Sequence, residues 1–263
     1  MKGLNEIVIV DNVDKIYGVG DNSFYALNKV SLRVYEGDFI GIMGPSGSGK
    51  STFLNILATL DVPSRGKLLI NGKNVQGMAD CDLSAFRREN IGFIFQNFNL
   101  LDTLTIKDNI LSSVILAGLS KEECDERLEM VSKKMDIEAI LDKYPAECSG
   151  GQNQRAAVCR ALISNPKIIV ADEPTGALDT KNSNELIKLL SKLNREDGIT
   201  IVIVTHDSVI GSYCKKLLLI RDGEVDATLN RGAMTHRDFY YKIVEETSKE
   251  CESLFMENEE VVV

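Results

Sequence analysis

The feature that most constrains the fold is a short glycine-rich stretch, GPSGSGKS, that follows an apolar run. Residues 38–43 read DFIGIM, a nearly continuous apolar segment of the kind that forms a strand buried on both faces. Gly44 begins the pattern G-x-x-x-x-G-K-S, which ends at Ser51, and a helical pattern follows over residues 50–60. A strand, a glycine-rich turn and a helix in this order predict a loop whose backbone N–H groups and helix N-terminus enclose phosphate groups.

The residues of this loop suit separate chemical tasks. Lys50 is expected to reach the β- and γ-phosphates of a nucleotide, and the Ser51 hydroxyl to bind Mg²⁺. Thr52 follows as a contact for the α-phosphate. The complete predicted phosphate site consists of Gly44, Pro45, Ser46, Gly47, Ser48, Gly49, Lys50, Ser51 and Thr52.

A second motif, IIVADE, occupies residues 168–173. Four apolar residues predict a buried strand whose end presents Asp172 and Glu173. Asp172 can hold Mg²⁺, often through water, and Glu173 can polarise an attacking water. Two acids at a strand end are weak evidence alone, but together with the phosphate loop they indicate a site for phosphoryl transfer.

A third motif, CSGGQNQRAAVCRAL, occupies residues 148–162. Ser149, Gly150 and Gly151 open a helix, which gives the chain a second anion-receptive N-terminus. A plain serine N-cap followed by a glycine turn has the same pattern, and physical reasoning alone does not separate the two readings. Two phosphate sites for one nucleotide make sense if the second serves a nucleotide held by another copy of the chain.

Strand patterns recur along the remainder of the chain, and two hairpin turns are expected, at Asn71-Gly72 and Asp222-Gly223. Between residues 100 and 147 such patterns are absent and apolar residues recur at helical spacing, so we expect a helical insertion over about residues 97–160. The predicted strands span 30–35, 38–43, 67–70, 91–95, 167–171, 199–204 and 217–220, and a further amphipathic helix spans 182–195.

The C-terminal region, residues 233–263, is predicted to be a helical extension with an acidic tail. Phe239, Tyr240, Ile243 and Val244 are expected on one side of this helix. The tail, which contains Glu257, Glu259 and Glu260, is expected to be frayed.

Composition and charge disfavour several classes of function. The chain has 263 residues and a net charge of −9 without a basic tract, which disfavours binding to nucleic acid. Its apolar runs are too short to cross a bilayer, and the N-terminus lacks a signal-peptide pattern, so a cytoplasmic location is expected. Six scattered cysteines are expected to be reduced, and two histidines, His206 and His236, are too few for a histidine metal cluster.

Taken in order, these motifs resemble the ATP-binding cassette family, the nucleotide-binding subunits of ABC transporters. The resemblance makes Tyr17 the aromatic that stacks on adenine, although Tyr25 could compete for this role. It makes 44–51 the Walker A loop and Asp172-Glu173 the Walker B pair. Gln96 matches the Q-loop glutamine, which contacts Mg²⁺ and the transmembrane partner. The remaining matches are Ser149, Gly150, Gly151 and Gln152 of the signature motif, Asp179 of the D-loop, and the switch histidine, His206.

The resemblance implies an α/β fold: a P-loop NTPase cassette with a RecA-like core, an antiparallel β subdomain and a helical subdomain. It assigns residues 1–232 to the ATPase domain. Two copies would pair head to tail, each closing ATP and Mg²⁺ in its Walker loop against the signature motif of the other. Glu173 would act as general base, His206 would orient the γ-phosphate and the water, and Lys50 would stabilise the transferring phosphoryl group. Cys148 replaces the usual leucine of the signature, so slightly looser packing with retained function is expected.

Some stretches point to a branch of this family. PTGALD, FRRENIGFIFQNFNLL and VIVTHD resemble the branch that includes macrolide exporters, lipoprotein-releasing ATPases and the cell-division cassette. Within it, MGPSGSGKSTFLNILATLD and SYCKKLLLIRDGEV resemble the bacitracin-export (Bce-type) subunits. That resemblance implies resistance to peptide antibiotics, a separate permease at the inner face of the membrane, and in some systems a sensor histidine kinase.

Two alternatives remain open. One is a lipoprotein-release or cell-division ATPase that works with a different permease. The other is a soluble ABC ATPase acting on chromosomes or ribosomes. The lack of a long coiled coil between Lys50 and Ser149, the single cassette and the acidic charge balance count against the second alternative.

Overall fold

The structure, a computed structural model, describes residues 5–259 of the chain. Within this range it has a mixed α/β fold with two sheets. In chain order the strands are β1 (Glu6–Tyr17), β2 (Phe24–Tyr35), β3 (Phe39–Met43), β4 (Arg65–Ile70), β5 (Lys73–Asn74), β6 (Ile91–Ile94), β7 (Ile168–Asp172), β8 (Thr200–Val204), β9 (Lys216–Arg221) and β10 (Glu224–Asn230). The helices are α1 (Lys50–Leu57), α2 (Asp80–Asn90), α3 (Ile106–Ile115), α4 (Lys121–Met135), α5 (Gly150–Leu162), α6 (Thr180–Asp197), α7 (Ser208–Ser212) and α8 (His236–Glu259).

The larger sheet has six strands in the order β10-β9-β3-β8-β7-β6, and all its pairs are parallel except β9 with β10. β3 and β8 are buried along their whole length, as their continuous apolar sequences predict. Ile42 and Asp172 both pair with Val204, so the carboxyl ends of β3, β7 and β8 lie side by side. This edge of the sheet therefore brings together the segments that follow these three strands.

The smaller sheet is antiparallel, in the order β2-β1-β4-β5. Its apolar face packs with α1 and with one face of the larger sheet in a single core, to which Val10, Leu27, Phe53, Leu54 and Ile42 belong. Burial of a side chain of this size contributes about 1.5–3 kcal/mol. Helix α1 is thus held between the two sheets, and its N-terminus cannot move independently of them.

Helices α3, α4 and α5 pack with α6 on the other face of the larger sheet. All three begin after residue 97, and the structure assigns no strand to residues 95–167. Helix α4 starts at a capping box between Ser120 and Glu123, a local signal that fixes its first turn. The helix predicted at 182–195 is confirmed as α6, in which Leu186, Leu190 and Leu193 are buried.

The predicted strands and both hairpin turns are confirmed, with boundaries that shift by a few residues. The helix predicted over 50–60 ends earlier, at Leu57. Thr59 adopts a left-handed φ of 55°, and the N–H of Leu60 returns to the carbonyl of Asn55, which closes the helix. The chain then turns back toward the smaller sheet.

The C-terminal helix α8 begins at His236, and no helix within residues 5–259 is long and apolar enough to cross a membrane. Phe239 and Ile243 are fully buried, whereas Tyr240 is half-buried and Val244 is exposed. Burial on this side of the helix therefore follows the i, i+4 pair Phe239 and Ile243. Of the predicted acidic tail, Glu260 lies outside the described residues, and the side chains of Glu257 and Glu259 are likewise not described.

Candidate active site

The glycine-rich loop connects β3 to α1 and is shaped by three left-handed glycines. The φ angles are 153° at Gly44, 79° at Gly47 and 100° at Gly49. A β-carbon on Gly44 would lie 1.9 Å from the carbonyl oxygen of Ile220, and one on Gly49 would lie 2.3 Å from that of Ala26. Only glycine fits at these two positions. At Gly47 the corresponding space is open, so the backbone conformation alone favours glycine there.

Lys50 is buried at the start of α1, and its Nζ donates a hydrogen bond of 2.6 Å to the carbonyl of Pro45. Burial lowers the pKa of Lys50, while the carboxylates of Glu173 and Asp172 act in the opposite direction. Ser48 carries a buried hydroxyl that has no hydrogen-bond partner within the described range. The loop therefore holds a desolvated cation and an unpaired polar atom, as expected for a site that binds an anion.

Asp172 and Glu173 follow β7, and His206 follows the neighbouring strand β8. The Nδ1 of His206 lies 3.2 Å from Oε1 of Glu173. Glu173 has a left-handed φ of 41°, and its N–H donates to the carbonyl of Val204 at 3.0 Å. A non-glycine residue held in this region costs about 1–3 kcal/mol and is concentrated at functional sites. The strained turn aims the Glu173 carboxylate at His206.

Asp172 is half-buried at the end of β7. Burial raises the pKa of Asp172, the charge of Glu173 raises it further, and Lys50 lowers it. No hydrogen bond to this carboxylate is found among residues 5–259. Asp172 is thus a partly desolvated carboxylate that interacts electrostatically with Lys50 of the phosphate loop.

A cavity of about 410 Å³ lies between the smaller sheet and the phosphate loop. Tyr17 lies at its edge, 36% exposed, and the centroids of the Tyr17 and Phe24 rings are 5.8 Å apart. Tyr25 also lines this cavity, so the structure brings both candidate aromatic residues to it. Its full lining is Tyr17, Phe24, Tyr25, Ala26, Gly47, Gly49, Lys50, Ser51, Thr52, Asp222 and Gly223.

Sequence reasoning missed Phe24 and Asp61 in this region. The hydroxyl of Tyr17 donates to Oδ2 of Asp61 at 2.7 Å. Phe24 could have been found from the aromatic pair that opens β2, whereas Asp61 belongs to no motif and is 44 residues from its partner.

Gln96 is exposed in the segment after β6. A β-carbon on Gly176 would lie 2.7 Å from Nε2 of Gln96, so the glutamine lies against the turn that follows Glu173. Asp179 caps α6 by accepting from the N–H of Asn182 at 2.8 Å. This backbone hydrogen bond and one from the Asn182 side chain lower the pKa of Asp179.

Ser149 and Gln152 form the capping box of α5. The N–H of Gln152 donates to Oγ of Ser149 at 3.3 Å, and the N–H of Ser149 donates to Oε1 of Gln152 at 2.9 Å. Gly151 lies against α6, since a β-carbon there would be 2.7 Å from Oδ1 of Asn182. In the part of the chain that the structure describes, none of the residues 149–152 lines the cavity that contains Lys50.

The predicted site residues therefore form two groups. One surrounds Lys50 and includes Tyr17, residues 44–52, Asp172, Glu173 and His206. The other consists of residues 149–152 and the Asp179 turn. Gln96 lies near the first group through Gly176.

Known proteins resemble this chain along most of its length. Residues 27–176 match the family described as ABC transporter. The ABC transporter ATP-binding protein YvcR of Bacillus subtilis is 45% identical over 238 residues, which cover 90% of this chain and 91% of that protein. The bacitracin export ATP-binding protein BceA of Halalkalibacterium halodurans is 43% identical over 238 residues, which cover 90% and 94% of the two chains.

The fold is also found among solved structures. MJ0796, an ATP-binding cassette of Methanocaldococcus jannaschii, has a dimeric structure in a post-hydrolysis state bound to ADP and Pi. It is 42% identical to this chain with a TM-score of 0.78, and the match covers 85% of this chain and 98% of that one. The chain therefore has the ABC cassette fold and belongs to the ABC transporter family, as one of its ATP-hydrolysing cassettes.

Proposed function

We propose that this chain is the ATP-hydrolysing subunit of a Bce-type transporter that protects the cell from peptide antibiotics such as bacitracin or lantibiotics. The observation that carries the ATPase part is the 3.2 Å contact between His206 and Glu173, whose carboxylate acts electrostatically on Lys50. The 43% identity to the bacitracin export protein BceA supports the Bce-type assignment.

This geometry supports the following catalytic roles. Glu173 acts as general base and accepts a proton from the attacking water. His206 orients the water and the γ-phosphate from its position beside Glu173. Lys50 contributes a positive charge to the phosphate oxygens, where burial strengthens its effect. Tyr17 stacks on the adenine at the edge of the cavity.

The site also suits Mg²⁺. No group of three or more histidine, cysteine, aspartate or glutamate side chains within residues 5–259 could hold a metal ion. Mg²⁺ does not need such a cage, because it commonly keeps water and phosphate oxygens and takes only one or two protein ligands. Ser51, Asp172 and Gln96 would supply the protein side of this coordination. When bound, the ion neutralises charge on the β- and γ-phosphates.

One protein partner is another copy of the chain. Residues 149–152 lie apart from the cavity around Lys50, although the N-terminus of α5 is suited to an anion. In a head-to-tail dimer this N-terminus reaches the γ-phosphate held by the other copy, and Asp179 lies at the same interface. The dimeric structures of MJ0796 support this arrangement.

The other protein partner is an integral-membrane permease, which docks near Gln96 and the helical insertion. This contact keeps the chain at the cytoplasmic face of the membrane. A sensor histidine kinase would belong to the same assembly. The transporter names of the relatives support a permease partner.

Complementation tests this function directly. A strain lacking the gene should regain bacitracin resistance when it expresses wild-type protein, and it should stay sensitive with Lys50→Ala. Lys67→Ala, at an exposed position on the smaller sheet, is a matched control that should restore resistance fully. Restoration by Lys50→Ala would contradict a role for ATP hydrolysis, and wild-type sensitivity in the deletion strain would contradict the antibiotic assignment.

The identity of the permease provides a second test. We expect tagged protein from gently solubilised membranes to retain a large permease with an extensive extracellular domain. A division-type or lipoprotein-type permease would keep the ATPase mechanism and overturn the antibiotic role. Recovery with ribosomes or DNA and without a membrane protein would overturn the transporter function.

A further inference from the structure

Asp61 forms a compact hydrogen-bonded cluster beside the nucleotide cavity. Its Oδ2 accepts from the Tyr17 hydroxyl at 2.7 Å, and its Oδ1 accepts from Lys15 Nζ at 2.5 Å. The N–H of Val62 also donates to Oδ1, at 2.7 Å. Both carboxylate oxygens of Asp61 are thus engaged, and its side chain is only 26% exposed.

The backbone holds Asp61 in place from both sides. After α1 ends, the N–H of Asp61 donates to the carbonyl of Asn55 at 3.2 Å. The following residues run along β1, where the N–H of Ser64 donates to the Asp14 carbonyl at 2.8 Å and its Oγ accepts from the N–H of Ile16 at 3.0 Å. Asp61 therefore connects the phosphate-loop helix to the strand that ends in Tyr17.

The ring of Tyr17 is constrained by this cluster. Lys15 Nζ lies 4.9 Å from the ring centroid and also donates to the carbonyl of Val62 at 3.0 Å. A tyrosine that is held only by its backbone can rotate about χ1 and χ2, whereas a hydroxyl anchored at its tip fixes the ring plane. Exposed aromatic rings that bind a base gain affinity when they are already oriented.

Charge distribution agrees with this geometry. Burial acts to raise the pKa of Asp61, but hydrogen bonds from Lys15, Tyr17 and Val62 outweigh it and lower that pKa. Burial and the bond to Asp61 raise the pKa of Tyr17, while a hydrogen bond with Thr52 lowers it. The phenol therefore keeps its proton and donates to an ionised carboxylate, the stronger form of this bond.

We infer that Asp61 is a positioning residue for recognition of the nucleotide base, which acts by fixing the ring of Tyr17. The inference rests on the proposed stacking of Tyr17 on adenine. Lys15 lies over the Tyr17 ring, and the Phe24 ring lies beside it at a centroid distance of 5.8 Å, where both aromatic residues line the cavity. Asp61 itself does not touch the nucleotide.

The test compares a ligand that has a base with one that lacks it. Calorimetry without Mg²⁺ gives the affinity of each variant for ATP and for inorganic tripolyphosphate, which occupies only the phosphate loop. Asp61→Ala is expected to lower the affinity for ATP about five- to tenfold, as for the loss of one charged hydrogen bond. Its affinity for tripolyphosphate should stay within about twofold of the wild-type value. Asp61→Asn keeps an oxygen that can accept a hydrogen bond from Tyr17, so its affinity for ATP should fall less than that of Asp61→Ala. Asp142→Asn is the matched control and should change neither affinity.

The anchored hydroxyl can be removed from the other side of the bond. Tyr17→Phe keeps the ring and deletes the hydroxyl, with its bond to Asp61 and its contact with Thr52. It is expected to weaken ATP binding at least as much as Asp61→Ala does. The double variant should bind ATP about as tightly as the weaker of the two single variants, because both substitutions break the bond between Tyr17 and Asp61. Tyr17→Phe also serves as the test if Asp61→Ala does not fold.

Three outcomes would overturn the inference. Equal losses for ATP and tripolyphosphate would give Asp61 a general structural role in the phosphate loop, and unchanged ATP affinity in Asp61→Ala or Tyr17→Phe would remove the role of the bond. Tyr17→Ala distinguishes failure of the positioning role of Asp61 from failure of the proposed stacking of Tyr17 on adenine. Stacking predicts that this variant loses affinity for ATP by about tenfold or more. If Tyr17→Ala weakens ATP and Asp61→Ala does not, only the inference fails. If Tyr17→Ala leaves ATP unchanged, the stacking proposal fails as well.

Discussion

Replacement of Phe239 tests how firmly the C-terminal helix α8 is packed beside the active site. Phe239 is fully buried in a cluster with Met43, Leu217 and Leu219, and Met43 directly precedes Gly44 of the phosphate loop. Phe239→Ala removes a whole ring from this cluster and leaves a cavity behind. Substitutions of this kind cost about 3–5 kcal/mol.

The size of this loss can be measured by thermal unfolding. For a domain of this size each kcal/mol corresponds to about 2–4 °C, so Phe239→Ala should lower the Tm by about 6–20 °C. Tyr241→Ala is the matched control, because Tyr241 is an aromatic residue of the same helix that is 57% exposed. Its ring contacts the Arg237 side chain, at 5.8 Å, and the edge of the neighbouring Tyr240 ring, at a centroid distance of 5.4 Å. Because these contacts lie at the surface, their loss should cost about 1 kcal/mol or less.

The same pair of variants reports on the site. Ile243, one turn after Phe239, packs against Gly211 of α7, the short helix that follows His206. Loosening of α8 should therefore lower the ATPase kcat more in Phe239→Ala than in Tyr241→Ala. Equal Tm shifts for the two variants, or a loss below about 1 kcal/mol for Phe239→Ala, would refute the packing argument.

Two further predictions concern the loop and the acidic pair. Gly49→Ala should destabilise the nucleotide-free protein more than Gly47→Ala, because only at Gly49 does the added β-carbon meet a backbone oxygen, that of Ala26 at 2.3 Å. Equal Tm losses would contradict this. Asp172→Asn should raise the Tm of the nucleotide-free protein, because burial and the charge of Glu173 raise the pKa of Asp172. The native state then binds this proton more readily than the unfolded chain, so ionised Asp172 costs stability above its native pKa. The gain from the substitution should shrink as the pH falls from about 8 to about 4, and a constant gain would contradict this reasoning.

The central part of the fold could be predicted because its signals are local and continuous. β3, the first four residues of β7 and the last four of β8 are all apolar, and the residues that carry the chemistry come at or just after the ends of these strands. Parallel strands bring these following segments to one edge of a sheet, so Gly44, Glu173 and His206 could be grouped without a structure.

Other features left no such signal. β1 was not predicted because register shifts interrupt its alternation, with Asn12 at a left-handed φ of 46°. α2 was missed because its sequence is polar and, of its apolar residues, only Phe86 is buried. Asp61 was missed because its partner, Tyr17, lies 44 residues earlier in the chain, and no local pattern encodes a contact at this separation.

The most direct test of the account is the oligomeric state of Glu173→Gln, because a carboxamide cannot accept the proton from the attacking water and hydrolysis should stop with ATP bound. Light scattering with saturating ATP and Mg²⁺ should give the mass of a dimer for this variant, whereas Glu173→Gln combined with Lys50→Ala should stay monomeric. An additional Ser149→Arg substitution, which places a bulky side chain at the N-terminus of α5, should also abolish the dimer. A Glu173→Gln protein that remains monomeric at saturating ATP, or that hydrolyses ATP at the wild-type rate, would contradict the assignment of Glu173 as general base in a site completed by a second copy.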